Sequence, residues 1–286
     1  MTEKEYRAHP AISRSELFKI SESPEKFKYY REHPEEPTPA LLFGQLFHAM
    51  ALQPETVWDE FIIAPDVDRH TKAGKEAYAE FEAQAQGKAI VTSDMAQQAY
   101  EMCEALHNNE FVKKLFKGEK EKAFFWKDDL TGEPCKCRTD ILLPLILTDL
   151  ETGERYPSIH IIDIKTTENA ETDAFIKSSI KYGYDFQSAM YIEGVKMNYP
   201  KTQMVDGVEK NIHFKFVFIV IEKKPPYAIN ILQADKLFLL RGYDLFREYI
   251  GTYHYCRESG NWFGYLGRRN LINTLGLPSY LAKEIE

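Results

Sequence analysis

Three apolar, strand-like segments follow one another between residues 123 and 165 with only a short turn between each pair, and this run constrains the fold more than any other feature. Ala123-Phe124-Phe125-Trp126 passes through Asp128-Asp129-Leu130-Thr131-Gly132 into residues 136–143, and Glu151-Thr152-Gly153-Glu154 passes into residues 159–165. Turns of this composition combine a glycine that accepts positive φ with side chains that bond their own backbone, so they close hairpins. Strands joined in this way lie side by side and antiparallel.

Helical signals surround the run. Ser13 with Glu16 reads as a capping box, and Ser23-Pro24 and Thr38-Pro39 each place a cap ahead of a proline at the first helical position. The last of these opens an apolar helix over about 40–52, on which Leu41, Gly44, His48 and Leu52 share a face, so His48 points where the helix packs. Residues 64–90 read as a loop with one helical stretch. Met95, Ala99, Met102 and Leu106, followed by Val112, Leu115 and Phe116, predict one core helix over 94–116. After the strands come helices over 172–179 and 184–197, an alternating strand over 212–221, a short strand over 227–232 and a long amphipathic helix over 235–250. The order helix, three strands, helix, strand predicts an α/β fold with a mixed central sheet and helical additions at both ends. We read it as one domain over 1–286: an N-terminal helical part (1–90) carrying His48, a core (91–235) and a C-terminal helical part (236–286).

Composition narrows the function classes. With 44% apolar residues in 286 the chain is not predominantly disordered, and a net charge of −8 argues against a polycation that coats nucleic acid. A local basic groove remains compatible with that total. The longest uncharged apolar stretch, 141–147, is far short of the roughly 20 residues that span a bilayer, and the N-terminus lacks a secretory pattern, so a cytoplasmic protein without membrane association is expected. Cys103, Cys135, Cys137 and Cys256 make no disulfide framework, and the spacing of Cys135-Lys136-Cys137 is too short for a usual zinc knuckle.

The chemistry concentrates in the strands. Residues two apart on a strand share a face, so Asp163 and Lys165 project together while Ile164 turns to the opposite layer, and the neighbouring strand can bring Asp140 beside Asp163. Two carboxylates and a lysine so placed suit metal-assisted phosphodiester hydrolysis: the carboxylates hold a hard divalent ion, and the lysine orients the attacking water or offsets phosphate charge. The competing reading of Asp-x-Lys is a surface ion pair. Ile161, Ile162 and Ile164 around Asp163 favour a site, because a carboxylate buried among them without a partner costs several kcal/mol.

In this order the motifs Gly44-Gln45-Leu46-Phe47-His48, Glu121, Trp126-Lys127-Asp128, 135–140, Asp163-Ile164-Lys165-Thr166-Thr167 and 184–191 resemble the RecE-like (exonuclease VIII) exodeoxyribonucleases of the PD-(D/E)xK superfamily, over roughly residues 10–250. The resemblance implies a restriction-endonuclease-like core. Asp140 and Asp163 would be metal ligands with the carbonyl of Ile164, Lys165 the catalytic lysine, and His48 a histidine brought to the metal from an N-terminal helix rather than a packed core residue. Glu121 would be a metal or water ligand, or else solvated in its charged run. Gln187 and Tyr191 are four apart and share a helical face. In such enzymes this pair flanks the active site, glutamine fixing the lysine and tyrosine meeting DNA; the other reading of Tyr191 is core.

Lys26, Lys28 and Arg31, interleaved with aromatic residues, could contact DNA, with Lys19, Lys177, Lys181, Arg268 and Arg269 as further basic candidates. The resemblance further implies Mg²⁺ with Mn²⁺ able to substitute, no iron–sulfur cluster, and linear double-stranded DNA degraded from 5′ ends to leave 3′ overhangs. It also implies a homo-tetrameric ring, a RecT-like single-strand annealing recombinase as partner, and a phage or prophage gene expressed in a bacterial host cell for homologous recombination. The rival readings are a nuclease of this fold with other polarity or endonucleolytic action, and a DNA-end-binding module that has lost catalysis.

Overall fold

The segments joined by the two turns form three strands of a five-stranded sheet. The computed structural model describes residues 3–34, 36–269 and 272–277. In chain order α1 (Glu3–Ala8), α2 (Arg14–Phe18), α3 (Pro24–Glu32), α4 (Pro39–Leu52) and α5 (Val57–Glu60) come first, then β1 (Phe61–Ile63), α6 (Lys72–Gln84), β2 (Ala89–Val91), α7 (Ser93–Asn108) and α8 (Glu110–Leu115). The central elements are β3 (Glu119–Lys127), β4 (Pro134–Thr148), β5 (Arg155–Thr167), α9 (Thr172–Lys181) and α10 (Tyr184–Lys196). A hairpin of β6 (Thr202–Val205) and β7 (Val208–Asn211) precedes β8 (His213–Glu222), β9 (Ile229–Gln233) and α11 (Lys236–Ser259). Of the expected C-terminal part, residues 270–271 and 278–286 lie outside the described residues.

The sheet order is β3-β4-β5-β8-β9. β3, β4 and β5 form an antiparallel meander, β8 returns parallel to β5 after the α9–α10 crossover, and β9 closes the edge antiparallel to β8. This is the mixed α/β arrangement that the element order predicts. One face of the sheet packs on α10 and α11 through Phe186, Met190, Phe216, Phe218, Phe246 and Ile250, and the other on α4 and α7 through Phe47, Leu46, Met102, Ile162, Ile164 and Ile219. Gly194 lets α10 settle onto the sheet, since a Cβ there would meet the Trp126 ring and Cys137 Sγ.

Several elements differ from the sequence expectation. The single helix over 94–116 is two, because Asn109 ends α7 and its Oδ1 accepts from the Phe111 and Val112 amides to start α8. On α4 the buried face is Phe43, Leu46, Phe47, Ala51 and Leu52, while Leu41 is exposed and His48 sits half-buried at the margin. Pro144 lies within β4 because past Leu142 that strand has β5 alone as its neighbour, so the missing N–H disrupts no second ladder. The long helix continues to Ser259, nine residues beyond the expected end at Ile250. Among the described residues no helix is long and apolar enough to cross a membrane.

Candidate active site

The site forms where two strands part. Pairing of β4 with β5 runs from Thr148↔Arg155 to Ile141↔Ile162 and stops, so Asp140 is the first residue past the ladder. The cause lies on the other side of β4. Glu121 of β3 has φ 53°, and the β3–β4 pairing skips the Glu121/Asp140 position between Lys120↔Ile141 and Lys122↔Thr139. A left-handed residue within a strand costs on the order of 1–3 kcal/mol and changes which way the following side chains point. Cys137 and Leu142, an odd number of residues apart, accordingly face the same layer.

This bend leaves the Ile164 amide of β5 without a β4 carbonyl, and the Asp140 carboxylate takes it at 2.7 Å. A strand residue directs its N–H and C=O to the same edge, so the Ile164 carbonyl faces the same gap. His48 Nδ1, from α4, lies 3.4 Å from Asp140 Oδ2. On β5, Asp163 is buried (3% exposed), and its Oδ2 accepts no hydrogen bond, having only the Lys165 ammonium beside it. Gln187 Nε2 of α10 donates to Oδ1 at 2.5 Å, and Lys165 Nζ approaches Oδ2 at 2.6 Å. The Lys165 ammonium also lies 4.8 Å from the Tyr184 ring centre.

Electrostatics follow from this crowding. Burial pushes the Asp140 carboxyl upward, His48 opposes the shift, and the Asp163 charge adds to it. Burial pulls the Lys165 ammonium down, but Asp163, Tyr184 and Asp140 outweigh it and the net shift is upward. Lys165 is therefore held as a cation.

The structure brings Asp140, Asp163, Ile164, Lys165, His48 and Gln187 together. Gln187 holds Asp163, not the lysine as the resemblance implied. Glu121 is neither solvated nor directed into its charged run: its Oε2 lies 2.6 Å from Arg138 Nε. Tyr191 is half-buried against Phe216, with ring centres 6.1 Å apart. Lys26 pairs with Glu22, and Arg31 Nη1 donates to Tyr253 Oη at 3.3 Å; with Lys28 they lie on α3, and none of the three contacts this cluster.

Sequence reasoning missed Arg14, whose guanidinium donates to the carbonyls of Tyr182 and Gly183, and which faces Tyr191, Tyr184 and Asp163 electrostatically. No local pattern marks it, because its partners lie 168 and 169 residues away.

The donor set fits a hard divalent cation. Two carboxylates, a strand carbonyl and one imidazole supply mainly oxygen, and Mg²⁺ or Mn²⁺ keeps several waters, so it needs few protein ligands. No three His, Cys, Asp or Glu side chains among the described residues form a ready-made cage. The thiols are unsuited: burial pushes Cys135 up to about 12 and Cys137 higher still, so neither is a thiolate at neutral pH.

Over residues 13–274 the chain matches the family described as a PDDEXK-like domain of unknown function (DUF3799). Among solved structures it is similar to a "putative exonuclease" from Eubacterium rectale, with a TM-score of 0.58 and 15% identity over 97% of this chain and 96% of that one. It also aligns with SSO0001 at a TM-score of 0.31 and 15% identity, over 74% of this chain and 85% of that one. No curated protein matches it.

Proposed function

The chain belongs to this PDDEXK-like family, and on that premise we propose that it is a metal-dependent exodeoxyribonuclease. Its substrate would be linear double-stranded DNA, shortened from the 5′ ends to leave 3′ overhangs. One observation carries the reading: at the parting of β4 and β5, Asp140 and Asp163 converge beside a lysine held as a cation. A solvated surface pair would have neither the burial nor the second carboxylate.

In this reading Asp140, Asp163 and the Ile164 carbonyl hold the cation, with His48 at its margin. Mg²⁺ is the expected ion and Mn²⁺ a substitute. When bound, the ion supplies Lewis-acid polarisation of the phosphate and lowers the pKa of a coordinated water. Lys165, as an ammonium, donates to the attacking water or to a phosphate oxygen and offsets the charge gathering there. Gln187 keeps Asp163 from rotating. Glu121 acts through Arg138 and the backbone bend, and so is a positioning residue. Tyr191, Lys26, Lys28 and Arg31 are proposed DNA contacts. The motif order supports a RecE-like role in phage-type recombination in a bacterial cytoplasm, with a homo-tetrameric ring and a RecT-like annealing protein as partner.

Incubation with end-labelled linear duplex and Mg²⁺ tests this. Nucleotide release that EDTA stops is expected, and binding without release would leave the end-binding module. Blocking the 5′ or the 3′ termini in turn reads the polarity: protection by the 3′ block alone would overturn the 5′ assignment, and cleavage of circular duplex would replace exonuclease by endonuclease.

A further inference from the structure

A recess of about 260 Å³ opens beyond the end of β5. Thr166, Thr167, Asn169, Ser178, Tyr182 and Tyr184 line it. It shares a wall with the candidate active site, since Tyr184 also carries the Lys165 ammonium over its ring. The Tyr182 and Tyr184 rings are 5.9 Å apart and inclined by 32°. Phe175 stands behind Tyr184, with centres 5.9 Å apart.

The turn bearing these two tyrosines is fixed from behind. Gly183 has φ +63°, and a Cβ there would collide with the Phe18 ring. Arg14 lies 4.8 Å over that ring and donates to the Tyr182 and Gly183 carbonyls. Yet Tyr182 itself is 50% exposed. A half-exposed aromatic side chain on a turn held by the half-buried Arg14 guanidinium is arranged to receive a flat apolar group. On the rim, Lys223 Nζ pairs with Glu168 at 3.1 Å, and that carboxylate would repel a phosphate, while the Lys181 ammonium lies 5.4 Å from the Tyr182 ring centre. Asn169 Oδ1 accepts from the Glu171 amide, which leaves the side-chain Nδ2 and the Thr166 hydroxyl to meet the edge of a ring.

We propose that this recess takes the nucleobase next to the scissile phosphate, with Tyr182 and Tyr184 as its stacking wall. The proposal rests on the nuclease reading and deepens it. With one base stacked on Tyr182 and Tyr184, the terminal pair opens as the phosphate reaches Lys165.

The test compares a duplex whose nucleotide beside the scissile bond is intact with one that is abasic there. Base–aromatic stacking corresponds to about 5- to 150-fold. The abasic substrate should therefore lower kcat/KM of the wild type by about tenfold. Tyr182→Ala should lose a similar factor on the intact duplex and nothing further on the abasic one, and Tyr182→Phe should restore the difference. Equal slowing of both duplexes by Tyr182→Ala, or failure of Tyr182→Phe to rescue, overturns the proposal. Should Tyr182→Ala lower the melting temperature, Asn169→Ala must show the same contrast at smaller size. If the wild type releases nucleotide from neither duplex, the nuclease reading fails first. Anisotropy with the same two duplexes then still decides: tighter binding of the intact one, lost in Tyr182→Ala, supports the recess, and equal affinity overturns it.

Discussion

Two carboxylate pairs, Asp128 with Glu133 at the β3–β4 turn and Asp140 with Asp163 where β4 and β5 part, are treated in opposite ways. At the β3–β4 turn, Asp128 and Glu133 are 4% and 1% exposed, as deeply placed as Asp163 at 3%. Asp128 accepts from Arg247 at 2.5 Å and from the Thr131 amide and hydroxyl at 2.9 and 2.7 Å. Glu133 accepts from Arg257 at 2.8 Å and lies 2.6 Å from His254 Nδ1. Burial pushes Asp128 up, but Thr131 and Arg247 more than reverse this and its pKa is lowered, whereas Asp140 at the strand parting is raised. A buried carboxylate that is fully matched by donors is a fastener. One left short of positive charge is a place for a cation, so the surrounding donors, not the residue type, separate structure from chemistry.

The largest expected effect breaks this contrast on the catalytic side. Asp140→Asn, Asp163→Asn and Lys165→Ala should each lower nucleotide release by about 10² to 10³ or more, while circular dichroism shows a folded chain. Substitutions at the turn should do the reverse. Asp128→Ala removes three donors' worth of bonding, and Glu133→Ala leaves Arg257 and His254, both of which can still reach water. Each should cost about 1–3 kcal/mol in chemical denaturation, with activity per folded molecule retained.

A smaller effect sharpens the comparison without mutating the turn. Mg²⁺ or Mn²⁺ at ten times its dissociation constant should stabilise the wild type by about 1.4 kcal/mol and raise its melting temperature. Asp140→Asn and Asp163→Asn should lose that gain, and Asp128→Asn should keep it. The smallest effect is in pH. Asp128 is depressed in the fold, so its contribution is complete above its unfolded value of about 3.9 and is lost as the pH falls through its lower folded value. Denaturation midpoints measured in EDTA should therefore fall less steeply with acid in Asp128→Asn than in the wild type.

The strand period made the candidate face legible: Asp163 and Lys165 on one side, with Asp140 on the neighbour, follows from alternation and two hairpin turns. The α10 spacing likewise placed Gln187 on a helix face, which in the fold meets Asp163. What alternation could not carry is the place where it fails. The left-handed backbone at Glu121 and the parting of β4 from β5 depend on cross-strand pairing, and no residue at 121 announces them. The margin position of His48 was hidden because α4 is apolar on most sides, so periodicity selected a face containing the exposed Leu41. Three-residue strands such as β1 and β2 are too short to show a period. The β6–β7 hairpin, by contrast, turns on Asp206-Gly207 with positive φ at both residues, a signal present in the sequence.

The fastening of the β3–β4 turn to α11 has a consequence for how the protein is made. Its bonds join residues 119 to 124 positions apart, and the last partner, Arg257, emerges after every proposed catalytic residue. A nascent chain therefore exposes both acids and the lysine before the brace that secures their hairpin exists. The activity should switch on late in synthesis, and released chains truncated after Gln233 should be cut by protease within the turn at 128–133, while chains extending past Gly260 resist.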